Sequence, residues 1–265
     1  IAGLRRSCDR PLVILVQDDI AARRLQEELK NFLGETAPIL PGRDLTLYDA
    51  AVVSRAWEQK RLRQLFDLAK GNTPVQIFTW ESMSQRTMPK EVLMDAAFCL
   101  EVGSEYPVEE LIRRLTAAGY SRCGMVEGPG QFALRGGILD IYSPAADQPF
   151  RCEFFGDELD TMGYFDPDTQ RRTENVDRVT ILPVGETQPR LHPQGLNGLC
   201  DDITGMIARQ RRRKSPNEDL IRTLEKDLHK YENDLQNPAS DRYMAFIYPE
   251  MATAMDYLPD DAVLI

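Results

Sequence analysis

Phe132-Ala-Leu-Arg-Gly-Gly-Ile-Leu-Asp-Ile-Tyr142 and Phe150-Arg-Cys-Glu-Phe-Phe155 read as two β-strands joined by a Pro-containing connection, residues 143–149. Side chains on a strand alternate between faces. In the second strand Phe150, Cys152 and Phe154 therefore share one face, and Arg151, Glu153 and Phe155 the other. The first set is a core stripe. The second puts a large aromatic beside two charges on a face expected to be solvated, and Arg with Phe is a composition of protein-binding hot spots. An edge Phe covered by its own domain is the plainer alternative, and composition does not choose between them.

Outward from this stretch the chain changes character twice. Residues 1–96 alternate strands and helices: Leu12 to Val16 is a short apolar run of the buried parallel kind, and Asp18 or Asp19 caps a helix carrying Ala22, Leu25, Leu29 and Phe32, stopped by Gly34. A second helix runs from about Val52 to Gly71, and Val75 to Thr79 is the next strand. Such alternation implies right-handed βαβ units. Residues 97–184 read as α+β: a strand at Cys99–Val102, a helix opened by Pro107, then strands including Leu159–Phe165 and Val176–Leu182, with Asp166-Pro-Asp-Thr169 as a turn. Residues 185–265 hold two helical stretches, about 196–213 and 218–235, and short strands at Met244–Tyr248 and Ala262–Ile265. These strands are too few for a sheet of their own, so they are expected to complete the first one. The fold class is then α/β, a parallel-sheet lobe interrupted by an inserted domain of antiparallel sheet plus helix.

The chain of 265 residues carries 42% hydrophobic and 28% charged residues, ordinary for a globular protein. A net charge of −10 argues against a broad sequence-independent DNA-binding surface, which needs clustered Lys and Arg. Five scattered cysteines without a C-x-x-C pair, and only two histidines, favour neither a disulfide framework nor a zinc site. No signal peptide or membrane span is visible, and a cytoplasmic setting is expected. The chain starts at Ile1 and stops inside an apolar run, so it reads as a segment of a longer protein.

Leu134-Arg-Gly-Gly-Ile-Leu-Asp-Ile-Tyr142, Phe150-Arg-Cys-Glu-Phe-Phe-Gly-Asp-Glu-Leu-Asp160 and Tyr164-Phe-Asp-Pro-Asp168 resemble the domain shared by the excision-repair helicase UvrB and the transcription-repair coupling factor Mfd. Pro11-Leu-Val-Ile-Leu-Val16, Arg23-Arg-Leu-Gln-Glu-Glu-Leu29 and Asp256-Tyr-Leu-Pro-Asp-Asp-Ala-Val-Leu-Ile265 are similar to the opening and return of the surrounding lobe. The resemblance implies an incomplete P-loop-like lobe around an inserted domain that binds the damage-recognition protein UvrA. No Gly-Lys pair occurs in the sequence, and the region Leu40 to Arg61 is short, with Tyr48 its one tyrosine. Leu45-Thr-Leu-Tyr-Asp49, Ser54-Arg55 and Thr79-Trp-Glu-Ser-Met-Ser-Gln-Arg86 are similar to the coupling-factor branch rather than the UvrB branch. An ATP-dependent DNA helicase of the UvrB type is the alternative.

By that resemblance Arg135, Arg151 and Phe155 match UvrA-binding positions, with Glu153 between the last two setting register. Gly136-Gly137 suits a bulge or tight bend that turns Arg135 outward, and Arg151 and Phe155 lie about 13 Å apart on one face. No catalytic residue, metal or cofactor is expected in the chain. ATP and magnesium belong, by the resemblance, to a DNA-translocating motor elsewhere in the longer protein, whose partners include stalled RNA polymerase and double-stranded DNA and whose C-terminal domain masks the UvrA surface at rest. Arg209-Gln-Arg-Arg-Arg-Lys214 reads as a solvated helix end; a nucleic-acid or polymerase contact is the sharper reading. His192 and His229 read as surface residues without acidic partners, and Asp18-Asp19 and Asp201-Asp202 as helix-start charges.

Overall fold

The computed structural model describes residues 1–34, 36–43, 55–233, 235, 237, 239–250 and 252–265. The Leu45–Asp49 stretch, Tyr48, Ser54 and the expected helix start at Val52 lie outside the described residues. The chain divides into two compact units. One holds Ile1–Arg43, Arg55–Gly185 and Ala252–Ile265; the other holds residues 186–250 among those described.

The first unit opens with helix α1 (Ala2–Ser7), strand β1 (Leu12–Val16) and helix α2 (Asp19–Leu33). Asp18 caps α2 by accepting the Ala21 N–H at 2.8 Å, and Gly34 ends it with φ 75°, as the sequence implied. Ala22 and Leu29 are buried, but Phe32, read as part of the same apolar stripe, is 65% exposed. Helix α3 (Arg55–Ala69), strand β2 (Val75–Thr79), helix α4 (Trp80–Ser84), strand β3 (Arg86–Thr87) and helix α5 (Lys90–Ala96) follow.

The inserted region comprises β4 (Phe98–Glu101), α6 (Val108–Ala117), β5 (Ser121–Arg122), β6 (Gln131–Arg135), β7 (Ile138–Ile141), β8 (Phe150–Phe155), β9 (Glu158–Phe165), β10 (Arg172–Asn175) and β11 (Arg178–Ile181). The chain then returns with β12 (Ala252–Thr253), which pairs with β3, and β13 (Val263–Leu264), which pairs parallel to β1. The order β13-β1-β2 makes the parallel sheet, with Leu12↔Val75 through Val16↔Thr79 in register. The far end of the chain thus completes the sheet begun near its start. Leu12, Ile14, Ala22, Leu29, Val75 and Ile77 form its core.

Six strands form the second sheet, in the order β10-β9-β8-β7-β6-β5, antiparallel except for the β5–β6 pair. The stretch 132–142, read as one strand, is a hairpin: Gly136 adopts φ 61°, and Gly136-Gly137 turns the chain so that Arg135 pairs with Ile138. Strands β4 and β11, expected in the same sheet, form a separate two-stranded ribbon. Helix α6 buries Leu111 and Leu115 against a core shared by ribbon and sheet, including Phe132, Leu139, Ile141, Phe150, Cys152 and Leu159. Between Glu153 and Phe154 the β8–β9 register slips, so that Cys152 faces Met162 while Phe154 faces Leu159. That bulge lets Leu159 and Met162, three residues apart, both reach the core.

The second unit is helical: α7 (Gly195–Arg211), α8 (Glu218–Glu232) and the single turn α9 (Met244–Ile247). Leu199, Ile203, Ile207, Ile221, Leu224 and Tyr231 are buried. Met244–Tyr248 was expected as a strand; its buried residues Tyr243, Met244, Ile247 and Tyr248 instead repeat at helical spacing. His192, expected at the surface without an acidic partner, is 9% exposed and its Nε2 lies 3.1 Å from Asp202 Oδ2. Asp201 and Asp202 sit inside α7, not at its start. Among the described residues no helix is long and apolar enough to cross a membrane.

Candidate protein-binding surface

Two hairpin turns emerge at the same end of the six-stranded sheet. One joins β6 to β7 through Gly136-Gly137; the other joins β8 to β9 through Gly156-Asp157, with Gly156 at φ 65°. They touch through backbone, the Phe154 N–H donating to the Gly137 carbonyl at 2.8 Å. A Cβ on Gly137 would stand 3.0 Å from the Phe154 carbonyl oxygen, so a glycine suits this close approach. Phe155, the last residue of β8, is 82% exposed. Leaving a phenyl ring in water forgoes roughly 2 kcal/mol of burial, which makes an exposed aromatic informative.

On the face away from the main core, Arg135, Ile138 and Glu153 stand in one row across three strands. Ile138 is 36% exposed and adds a second apolar group near Phe155. One step back, Asp140 is opposite Arg151 and fully buried. Its carboxylate accepts Arg151 Nε at 2.7 Å and Nη2 at 2.9 Å, and Arg135 Nη2 at 2.5 Å. The Arg151 guanidinium lies 4.7 Å from the Phe165 ring centroid and contacts the Gln170 carbonyl and Oε1 at 3.4 Å. The hydrogen bond to Asp140 is the main cause that raises the Arg151 pKa above its ordinary value. Glu153 pairs with Arg172 at 3.1 Å.

Residues 98–186 match the UvrB interaction domain family. They belong to it. Along its whole length the chain is similar to the transcription-repair-coupling factors of Bacillus subtilis (strain 168), 25% identical, and Staphylococcus aureus (strain MRSA252), 26% identical, in each case covering 100% of this chain and 23% of the relative. The factor of Myxococcus xanthus is 33% identical over 72% of this chain and 17% of its own length. The chain therefore spans less than a quarter of the length of these relatives.

Within residues 98–186, the four residues singled out from sequence lie on one sheet, but their situations differ. Phe155 stands bare. Arg135 is 47% exposed at its side chain, with one nitrogen on Asp140. Arg151 is 18% exposed and its donors are turned inward, so the outward-facing pair of arginines expected from sequence is a single outward arginine. Glu153 is tied to Arg172. Asp140, Ile138 and Gln170 were missed. Asp140 was legible in principle: in Ile138-Leu-Asp-Ile141 a lone acid shares a strand with apolar residues, and strands bearing arginine flank it.

The basic run at the end of α7 is exposed from Arg211 to Lys214, and Arg211 pairs with Glu225 across to α8. Among the described residues no group of three or more His, Cys, Asp or Glu is placed to hold a metal. Burial pushes the Cys152 thiol pKa well up, leaving it a core side chain rather than a nucleophile.

Proposed function

We propose that the chain is a non-catalytic recruitment module that binds UvrA, within a longer protein coupling stalled RNA polymerase to nucleotide excision repair. The observation that carries this reading is Phe155, 82% exposed at a hairpin tip of a UvrB interaction domain, with Arg135 and Ile138 in the neighbouring row. The ring supplies an anchor for an apolar pocket, and Arg135 supplies charge-assisted donors for a carboxylate beside it. Arg151 and Glu153 belong to the same surface, the one beneath Arg135 and the other at its flank.

The transcription-repair-coupling factors to which the chain is similar are longer proteins, and ATP, magnesium and duplex DNA are assigned to a motor outside these residues. Two features support a non-catalytic role here. No Gly-Lys pair occurs in the sequence, so a phosphate-cradling G-K-[ST] loop is not written in it. At the carboxyl edge of the parallel sheet, α2 begins with Asp18 and Asp19, whose charges oppose a phosphate at that helix start.

The C-terminal domain of the longer protein is assigned the role of covering this surface at rest, so the 265-residue chain binds UvrA constitutively. Co-elution with purified UvrA at micromolar concentration tests the reading; two separate peaks, or ATP turnover by the chain alone, would overturn it in favour of a UvrB-type helicase fragment or an unrelated role.

A further inference from the structure

We infer that Asp140 is the positioning residue of the surface proposed above, and that it divides the two arginines into a support and a contact. The inference rests on that reading of the surface.

Arg151 forms a two-pronged pair with Asp140, lies over the Phe165 ring, and spends its Nη1 on the Gln170 carbonyl. Each of its nitrogens is turned to a group of this same domain. A guanidinium so held has little to offer a second carboxylate, because engaging one would take two of the three arginine hydrogen bonds from buried Asp140 and leave it with Arg135 alone. Arg135 differs. Only its Nη2 is on Asp140, its side chain is 47% exposed, and it ends β6 at the glycine turn, level with Ile138. Nε and Nη1 remain for a partner.

Charge follows the same division. Two guanidiniums and one carboxylate leave one net positive charge, and the exposed member of the three is Arg135. The partner that fits carries one carboxylate facing Arg135 and an apolar recess for Phe155 and Ile138. A long arginine side chain loses rotamer freedom when it is captured, and Asp140 imposes that loss before the partner arrives. Removing Asp140 would leave Arg135 charged but unplaced.

The test uses the 265-residue chain and purified UvrA, with affinities by calorimetry and fold controls by circular dichroism and thermal midpoint. Asp140→Asn and Arg151→Gln are each expected to weaken binding about tenfold, and together by no more than either alone. In an Arg135→Gln background, Asp140→Asn is expected to add nothing, because its effect passes through Arg135. An undiminished tenfold loss in that background would overturn the inference. A spectroscopic readout does not depend on the variants folding: in the unsubstituted chain with ¹⁵N-labelled arginine, the Arg135 Nε–H resonance moves on adding UvrA, and that of Arg151 stays slow to exchange and unmoved. The reverse pattern would sink the assignment. Phe155→Ala separates the two levels: if it leaves binding unchanged the surface itself is wrong, whereas if it weakens binding while Asp140→Asn stays within twofold, only the positioning role fails.

Discussion

Asp140 and Asp227 are both carboxylates buried against arginine, and they are arranged for different ends. In the helical unit Asp227, 1% exposed, accepts Arg242 Nη1 at 2.7 Å and the Tyr243 hydroxyl at 2.7 Å. Arg242 is 13% exposed and Tyr243 is buried, with Lys230 at 3.8 Å closing the site. In the six-stranded sheet Asp140 is as deeply buried, but Arg135 leads from it to the surface, at the end of the sheet where Phe155 stands exposed. An acid whose two close partners, Arg242 and Tyr243, stay largely buried is a staple. An acid whose partner leaves the core beside a bare ring is the root of a surface. Depth of burial is the same in the two cases, so burial alone does not tell them apart; the exposure of the partner does.

The largest effect that would break this contrast lies at the enclosed site. Asp227→Ala leaves Arg242 and Tyr243 unpaired in the interior and should cost about 3–5 kcal/mol of stability in chemical denaturation, with UvrA affinity unchanged where the variant is still folded. A binding defect in the folded variant would mean that Asp227 too serves a surface.

Alkaline pH sharpens the same point. Tyr231, buried in that cluster and held by Ser240 and Asn237, has its pKa pushed up to about 12, first by burial and also by the Asp227 charge. Its folded pKa lies above the unfolded value near 10. The stability it contributes is therefore complete below pH 10 and is lost as pH rises from 10 through 12, at up to about 1.4 kcal/mol per pH unit. Denaturant midpoints across pH 9 to 12 should fall less steeply for Tyr231→Phe than for the unsubstituted chain. Equal slopes would show that water reaches the phenol.

At the open site the expected losses fall on binding. Phe155→Ala should cost roughly 2 kcal/mol or more of UvrA binding and leave stability within about 0.5 kcal/mol, read by calorimetry and by denaturation. A stability loss as large as the binding loss would mean that the ring packs within its own domain.

Much of this architecture could be read from residues, because its signals are local. Asp18 and Gly34 bracket α2 as cap chemistry requires, and Leu12–Val16 and Val75–Thr79 are continuous apolar runs that a buried parallel sheet demands. Errors arose where a local signal admits two periods or where a distant partner decides. Met244–Tyr248 is short enough to read as strand or turn of helix. The Gly136-Gly137 pair was noticed as a bend, but whether it kinks one strand or closes a hairpin depends on whether Asp140 faces Ala133 across the ladder. Strand alternation put Phe155 on the face expected to be solvated but left open whether its own domain covers it; the ring is 82% exposed. The inward commitment of Arg151 did not follow from alternation, since the acid that claims it comes eleven residues earlier and the ring beneath it fourteen residues later, on β9.

Gly136→Ala probes the open surface most gently. Gly136 has φ 61°, and a Cβ there would meet nothing within 4 Å, so the whole penalty is the strain of an L-residue in the left-handed region. That strain is about 1 kcal/mol. The turn keeps its two flanking pairings, Arg135 with Ile138 and Leu134 with Leu139, and Arg135 keeps its hold on Asp140. Stability should therefore drop by about 1 kcal/mol while UvrA affinity changes by less than about threefold, a difference under about 0.7 kcal/mol. A larger loss of affinity than of stability would mean that the partner's backbone comes down on the glycine turn itself, extending the contact surface from Phe155 and Arg135 onto the hairpin tip between β6 and β7.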